Sequence, residues 1–348
     1  MIKTVWQMPK NLKDQDRSDF ILSSIYEKEI EEQKIKTISN VKIDSQGLLY
    51  RNFWPLLESF SNGTLPDIPR ARRWVFFDFN YPPKAMLANP FLIKNYLGKK
   101  KIILDRPGLW FIDDWSDGYF HWFADAVPRL YFARGYWEKA VVLLPERYQK
   151  IDFVVSTLNI LGVKNIRWIA DDEIIFAKEL ILPTQAALTG NFNAETMQQL
   201  CEVFRAYGQI KPSSFGERIY ISRANAKKRR IVNEEELKPI LTKYNFQIIE
   251  PEKLSFLEQL AAFAQAKYLI SIHGAGLTNM LFMPRDGAVM ELRVDQPQVN
   301  NCYCALAAAL SLDYYYQKPT KEEIINSTNL LTVSPEELEK NIKLILDI

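Results

Sequence analysis

From residue 218 to about 310, short apolar runs alternate with longer stretches whose apolar positions recur every three or four residues. That is the pattern of strands and helices wound around a parallel sheet. Residues 218–222 predict a strand that delivers Ser222 and Arg223 to its carboxyl end. Asn233 with Glu236 predicts a capping box opening a helix to Tyr244, and Ser255 with Glu258 predicts a second, opening a helix to Ala266. Residues 247–249 form the strand between those helices. The run 268–272 has the length and β-branched content of a buried parallel strand, and it stops at His273 before the turn HGAG. A helix over 277–283 follows, with its first N–H groups directed at the same sheet edge. Pro284 and Gly287 then break the chain, residues 288–292 predict another buried strand, and a helix from about 299 to 310 completes the series.

Upstream the pattern is weaker. Strands are expected at 102–104, 110–112, 140–144, 166–170 and 174–182, with a helix over 148–161, giving a first βαβ-type domain. Between the second and third of these strands, His121, Asp125 and Arg129 recur at every fourth position, so one helix would carry them on one face and turn Phe123, Ala126, Val127 and Leu130 away. Pro128 either kinks that helix or opens a new one, and the second case would dissolve the common face. The triad suits acid–base chemistry and equally suits a hydrogen-bonded, salt-bridged ladder on an apolar helix. Residues 20–34 carry a weak helical pattern, 41–53 short strands around Gly47, 62–73 a loop, and 74–79 a strand closed by Pro82 and Pro83. Residues 183–190 mark a domain boundary, followed by a linking helix over 194–208. The expected division is therefore 1–100 and 101–190 on one side, 191–320 on the other, and a helical tail, 321–348, packing back on the first domain.

Composition sets limits on this picture. A chain of 348 residues exceeds one comfortable core and suits an α/β protein of two domains facing a cleft. With 44 Lys and Arg against 42 Asp and Glu, no global field marks a nucleic-acid binder. Three cysteines make neither a disulfide framework nor a four-ligand zinc site, and the neighbouring carboxylates Asp113–Asp114 and Asp171–Asp172 diverge on a strand, so no metal site is expected. The N-terminal stretch lacks a signal-peptide apolar run and no segment approaches a membrane span, so the expected compartment is a reducing cytoplasm.

The chemistry gathers in the second domain. Arg223, Arg229 or Arg230, His273, the N–H groups after Gly274 and the Asn279 amide converge on one sheet edge, with Glu291 beside it. Guanidinium groups and helix-terminal donors match phosphate oxygens, and a carboxylate can accept two ribose hydroxyls, so a nucleotide diphosphate is the expected ligand. A regulatory or phosphate-ester site without group transfer has the same requirements.

Three blocks in order, YFHWFADAVPRL (119–130), ISRANAKKRRIVNEEEL (221–237) and IIEPEKLSFLEQLAAFAQAKYLISIHGAGLTNMLFMPRDGAVMEL (248–292), together resemble glycosyltransferase family 61, with HGAGLTN the most diagnostic. The resemblance implies a GT-B architecture of two Rossmann-like domains, a nucleotide-sugar donor in the C-terminal domain, an acceptor on the N-terminal domain, inversion at the anomeric carbon and no required cofactor or metal. It places Ser222, Arg223, His273, Gly274, Ala275, Gly276, Asn279 and Glu291 in the donor site. His121, Asp125 and Arg129 would face the cleft, with the general base either Asp125, slightly preferred for its negative charge, or His121. Bacterial members of the family suggest capsule, lipopolysaccharide or related surface-glycan assembly, with a glycan or lipid-linked glycan acceptor and peripheral contact with the inner face of the membrane. The competing class is a non-catalytic nucleotide- or glycan-binding module.

Overall fold

A computed structural model describes residues 2–3, 7–16, 29–51, 54–59, 98–226, 228–294, 301–326 and 328–348. The expected loop at 62–73, the strand at 74–79 and most of the weak helical pattern at 20–34 lie outside them. The chain forms two compact units, one of residues Gln33–Gln185 and one of Met1–Glu32 with Ala186–Ile348. The division falls within 183–190, but the first 32 residues join the C-terminal unit. Strands β1 (Ile2–Lys3) and β2 (Glu29–Ile30) of that segment pair with each other.

The first unit contains β3 (Ile35–Asp44), β4 (Leu49–Arg51), β5 (Trp54–Pro55), β6 (Lys100–Ile103), β7 (Gly108–Leu109), β8 (Val141–Pro145), β9 (Ile166–Ile169) and β10 (Glu173–Pro183) in one sheet. The order is β5-β4-β3-β10-β7-β8-β9, with β6 also on β10. It is a mixed sheet: β10 to β9 run parallel, whereas β3 lies antiparallel to β10 from Ile174 opposite Asp44 to Pro183 opposite Ile35. Two residues of β7 fit between β10 and β8 because Gly108 has no side chain; a Cβ there would lie 2.8 Å from Leu143 and 3.0 Å from Leu180. The strand expected at 110–112 is instead Gly108–Leu109, followed by buried irregular chain.

In the second unit β11 (Arg218–Ile221), β13 (Gln247–Ile249), β14 (Tyr268–Ile272), β15 (Ala288–Leu292) and β16 (Asp313–Gln317) form a parallel sheet of order β13-β11-β14-β15-β16. Leu237 and Leu241 of helix Glu234–Lys243 and Leu338 and Ile342 of helix Pro335–Ile345 pack with Tyr220, Ile270 and Met290 in one core cluster. Helices Ala194–Gln209, Phe256–Phe263 and Cys302–Leu310 pack together with a 3-10 helix, Ala275–Phe282, where Phe282 meets Phe204 and Phe256 edge to ring. The segment expected as a helix over 277–283 is thus a 3-10 helix starting at Ala275. The helix Pro335–Ile345 of the tail packs on β16 and on Glu234–Lys243 within this unit, because its Leu338–Ile342 stripe completes that core.

Two details depart from local expectation. The Ser255–Glu258 capping box forms, but Asn233 caps no helical N–H: its amide bonds Val333 N at 3.0 Å and Val333 O at 2.8 Å, tying the helix to a small separate sheet. That sheet orders β12 (Arg229–Ile231), β18 (Thr328–Thr332) and β17 (Lys321–Ile325), so part of the basic run is a strand. Residues 7–16 run along β16, the last strand of the parallel sheet. Lys10 N donates to Tyr314 O, the Asn11 side chain gives a hydrogen bond to Tyr316 O at 2.7 Å and takes one from Tyr316 N at 3.1 Å, and Asp16 receives the Tyr316 hydroxyl at 2.7 Å.

Candidate functional site

Winding of the parallel sheet reverses between β11 and β14, since β13 lies on one side of β11 and β14, β15 and β16 proceed on the other. Chains leaving the carboxyl ends of two strands at such a reversal turn to opposite faces and leave a crevice where ligands collect. Ser222 and Arg223 follow β11; His273 and Gly274 follow β14.

Gly274 organises the site. Its φ of 158° and ψ of 174° fall in a region that side chains disfavour. A Cβ there would stand 3.0 Å from Cζ of Arg223 and 3.5 Å from Nη1 of Arg229, so both guanidinium groups lie over this peptide. Arg229 comes from β12 and donates to the His273 carbonyl at 3.3 Å. Arg223 is held below its ordinary pKa first by burial and then by the charge of Arg229. Its Nε is buried without a hydrogen-bond partner among the described residues. Neighbouring cations disfavour each other's charge, and an anion bound between them would reverse that penalty.

His273 is buried, and its Nδ1 lies 2.6 Å from Oε1 of Glu291 while Tyr303 packs edge-on at 5.0 Å. The second oxygen of Glu291 accepts the Tyr314 hydroxyl at 2.7 Å. Burial pushes the Glu291 carboxyl up, but the charge and hydrogen bond of His273, the charge of Arg293 and the Tyr314 hydroxyl outweigh it and hold the group below the usual carboxylate range. With 1% of its surface exposed, Glu291 is sealed behind His273 and braces the imidazole instead of meeting ribose hydroxyls. Ser222 is also engaged: its hydroxyl donates to Glu234 at 2.8 Å and accepts from Ala224 N at 3.3 Å, shaping the turn that carries Arg223. Asn279 is buried and donates to Gly276 O at 3.1 Å, closing the HGAG turn. Gly276 rests against Ile221 of β11, and Ala275 is exposed at the turn.

In the first unit the helix over 119–132 continues through Pro128. It does so by widening: Trp122–Ala126 is a π-helical turn between the α-helical segments Tyr119–His121 and Val127–Phe132, with Val127 N–H reaching back to Trp122 O. The wider turn accommodates a proline ring that would crowd a regular α-helix. His121 and Asp125 stay together, Nδ1 to Oδ2 at 2.8 Å, with 27% of the His121 side chain exposed and 8% of Asp125. Arg129 does not bond Asp125. It is buried and gives its hydrogen bonds to Asp113, 3.3 Å away, and to Pro183 O. Burial lowers the Arg129 pKa against the opposing charges of Asp113 and Asp125. Asp113 also receives Ser116 Oγ at 2.9 Å and Trp115 N at 3.1 Å, fixing the turn that sets the half-buried Trp115 ring 4.9 Å from His121. Neither Trp115 nor Asp113 was among the expected site residues. The available signal was a tryptophan flanked only by turn residues, in DDWSDG, next to the helix.

Among the described residues no group of three or more His, Cys, Asp and Glu could hold a metal ion, and no helix is long and apolar enough to cross a membrane. Residues 119–290 match the family Glycosyltransferase 61, so the chain contains a domain of that family. The EGF domain-specific O-linked N-acetylglucosamine transferase of Drosophila melanogaster is 34% identical over 155 residues, which is 39% of this chain and 29% of that protein. The Mus musculus protein of the same name is 32% identical over 119 residues, 32% of this chain and 22% of that protein. A beta-1,2-xylosyltransferase of Oryza sativa subsp. japonica is 32% identical over 90 residues, 24% of this chain and 16% of that protein.

Proposed function

With a glycosyltransferase 61 domain as the premise, we propose that this protein transfers a sugar from a nucleoside-diphosphate donor to a hydroxyl of a glycan or lipid-linked glycan, with inversion and without a required metal. The observation that carries this is the pair of guanidinium groups, Arg223 and Arg229, over Gly274 beside His273 at the sheet reversal. In a single displacement the acceptor oxygen bonds to the anomeric carbon as the bond to the diphosphate breaks. The charge that develops on the leaving group is met by those cations. The acceptor proton passes to His121. Geometry favours His121 over Asp125 as the base: the imidazole is the more exposed of the two, and Asp125 takes the supporting position at Nδ1, leaving Nε2 for the proton. Trp115 supplies an aromatic face against which an acceptor sugar ring can stack.

The names of the relatives nominate N-acetylglucosamine and xylose as donor sugars and a protein hydroxyl as an alternative acceptor. Capsule, lipopolysaccharide or related surface-polysaccharide assembly is the proposed setting. The test is release of nucleoside diphosphate from a panel of nucleotide sugars with and without glycan acceptors. Release that depends on both substrates supports transfer. Nucleotide binding with no turnover under any pairing, and unchanged by His121→Ala, would replace the proposal with a binding module.

A further inference from the structure

Each of the chain's two histidines has its Nδ1 against a carboxylate, but the two carboxylates differ in setting. Asp125 lies within the field of the buried Arg129, whereas Glu291 is sealed, with one oxygen on His273 and the other on Tyr314. A carboxylate can only accept, so Nδ1 of His273 carries the hydrogen and Nε2 is the nitrogen left to gain or lose a proton. Nε2 has no hydrogen-bond partner among the described residues.

The charged groups around His273 lie on two sides of it. Glu291 from β15 meets the imidazole Nδ1, with Tyr314 from β16 and Arg293 helping to hold that carboxyl in its charged form. Arg229 from β12 bonds the His273 carbonyl and Arg223 after β11 lies over the Gly274 peptide, while Tyr303 from helix Cys302–Leu310 sets a ring edge against the imidazole. A diphosphate placed against the two arginines would cancel their repulsion and leave the Glu291 attraction unopposed. From this balance we infer that Glu291 is a positioning residue that makes His273 a proton-coupled ligand: when a diphosphate binds, Nε2 takes up a proton from solvent and donates it as a hydrogen bond to a phosphate oxygen. This rests on the donor-site proposal above. The sign follows from linkage: a group that binds a proton more tightly in the complex makes affinity fall as pH rises through the interval between its free and bound midpoints, by about tenfold per pH unit for one proton.

Having only two histidines makes the test direct. In the full-length chain carrying His121→Gln, the remaining imidazole signals in a nitrogen-detected NMR titration belong to His273. They should show the hydrogen on Nδ1 in the neutral form. Glu291→Gln, which keeps the shape and removes the charge, should move the protonation midpoint down. Tyr314→Phe, which strips a hydrogen bond from the carboxylate and makes it more basic, should move it up. A brace that was only structural would not produce opposite shifts. Calorimetry with inorganic pyrophosphate and with uridine, guanosine and adenosine diphosphates, each in two buffers of different ionisation heat and at a series of pH values, should show proton uptake on binding, reduced in Glu291→Gln. Binding without proton uptake, or a midpoint unmoved by both substitutions, would overturn the coupling and leave the donor site standing. Absence of binding by any of the four ligands would overturn the donor site and the coupling together.

Discussion

Replacing Gly274 by alanine tests the donor site without removing a charged group. The added Cβ would stand 3.0 Å from Cζ of Arg223 and closer still to its Nη1, whereas carbon atoms rest at about 3.5–4.0 Å. The guanidinium must therefore retreat by about 1 Å, and it can, because it is the end of a flexible side chain. The backbone is less forgiving: alanine in this conformation costs about 1–3 kcal/mol of stability. A displacement near 1 Å in a charge-stabilising group can reduce turnover roughly 10²-fold, equivalent to about 2.7 kcal/mol of transition-state stabilisation. The assay is kcat/KM for donor with pyrophosphate affinity alongside, at a temperature where denaturant titration shows the variant still folded. If the loss acts through Arg223, adding Gly274→Ala to Arg223→Ala should cost little more than Arg223→Ala alone, because the two share one contact. Full kcat/KM and full pyrophosphate affinity in a folded Gly274→Ala chain would refute the reasoning, and strictly additive losses would show that the alanine acts elsewhere.

Turnover by His121→Ala should fall by about 10²–10⁴, as for loss of a general base, with Asp125→Asn falling less, by roughly 10–100-fold, as for loss of an orienting partner; the reverse order in steady-state kinetics would restore Asp125 as the base. Trp115→Ala should raise the acceptor KM by roughly tenfold while leaving nucleoside-diphosphate affinity unchanged in calorimetry, and Trp115→Phe should recover most of the loss. Asp44 accepts hydrogen bonds from Gln46 N, Leu48 N and the Tyr50 hydroxyl at 2.9, 2.9 and 2.6 Å, so Asp44→Ala should destabilise the first unit by about 2–4 kcal/mol in urea titration; a change under half a kilocalorie, about 0.5 kcal/mol, would show that water replaces the carboxylate at no cost. Burial pushes the thiols of Cys201 and Cys304 up to about 11 and about 12, so labelling of the folded chain by iodoacetamide at pH 8 should be negligible at both and should rise with pH or with denaturant, as mass spectrometry can follow.

The parallel sheet of the second unit was legible because each strand from Arg218 to Leu292 lies between helices with their own periodicity, and strand ends at Ile221 and Ile272 are marked by the polar residues that follow. The Ser255–Glu258 box was legible for the same local reason. What escaped depends on distant partners. The β3 register is set by β10, whose paired residues lie 130 to 148 positions later in the chain, and alternation in IKTISNVKID alone does not say which strand it meets. Asn233 looked like a helix cap until Val333, 100 residues away, claimed its amide. Arg229 became a strand residue because Thr328–Thr332 lies beside it. Arg223, His273 and the glycine turn were legible as residues that follow strand ends, and they do follow β11 and β14. Glu291 was placed on the correct edge but at the wrong depth, since sequence marks a carboxylate without showing that a tyrosine and a histidine will consume both its oxygens. The widened turn before Pro128 resolved the two outcomes that the proline left open.

The ten-residue strap along β16 imposes an order on synthesis. Asn11 leaves the ribosome 305 residues before Tyr316, the residue its side chain brackets. Gln33–Gln185 is continuous in the chain and can condense while the remainder is still being made, but the other unit cannot seal its sheet until residue 317 has emerged. Loop closure costs grow only with the logarithm of length, by about 0.6 kcal/mol per doubling, so an intervening body that has already collapsed lowers the cost of that last encounter only slightly. The exposed backbone of the outermost strand is the vulnerable intermediate, because an uncovered edge accepts any extended partner. A nascent chain that has lost residues 7–16 would therefore complete its sheet with the open edge of another copy, and its failure would be seen first in soluble yield and only later in catalysis.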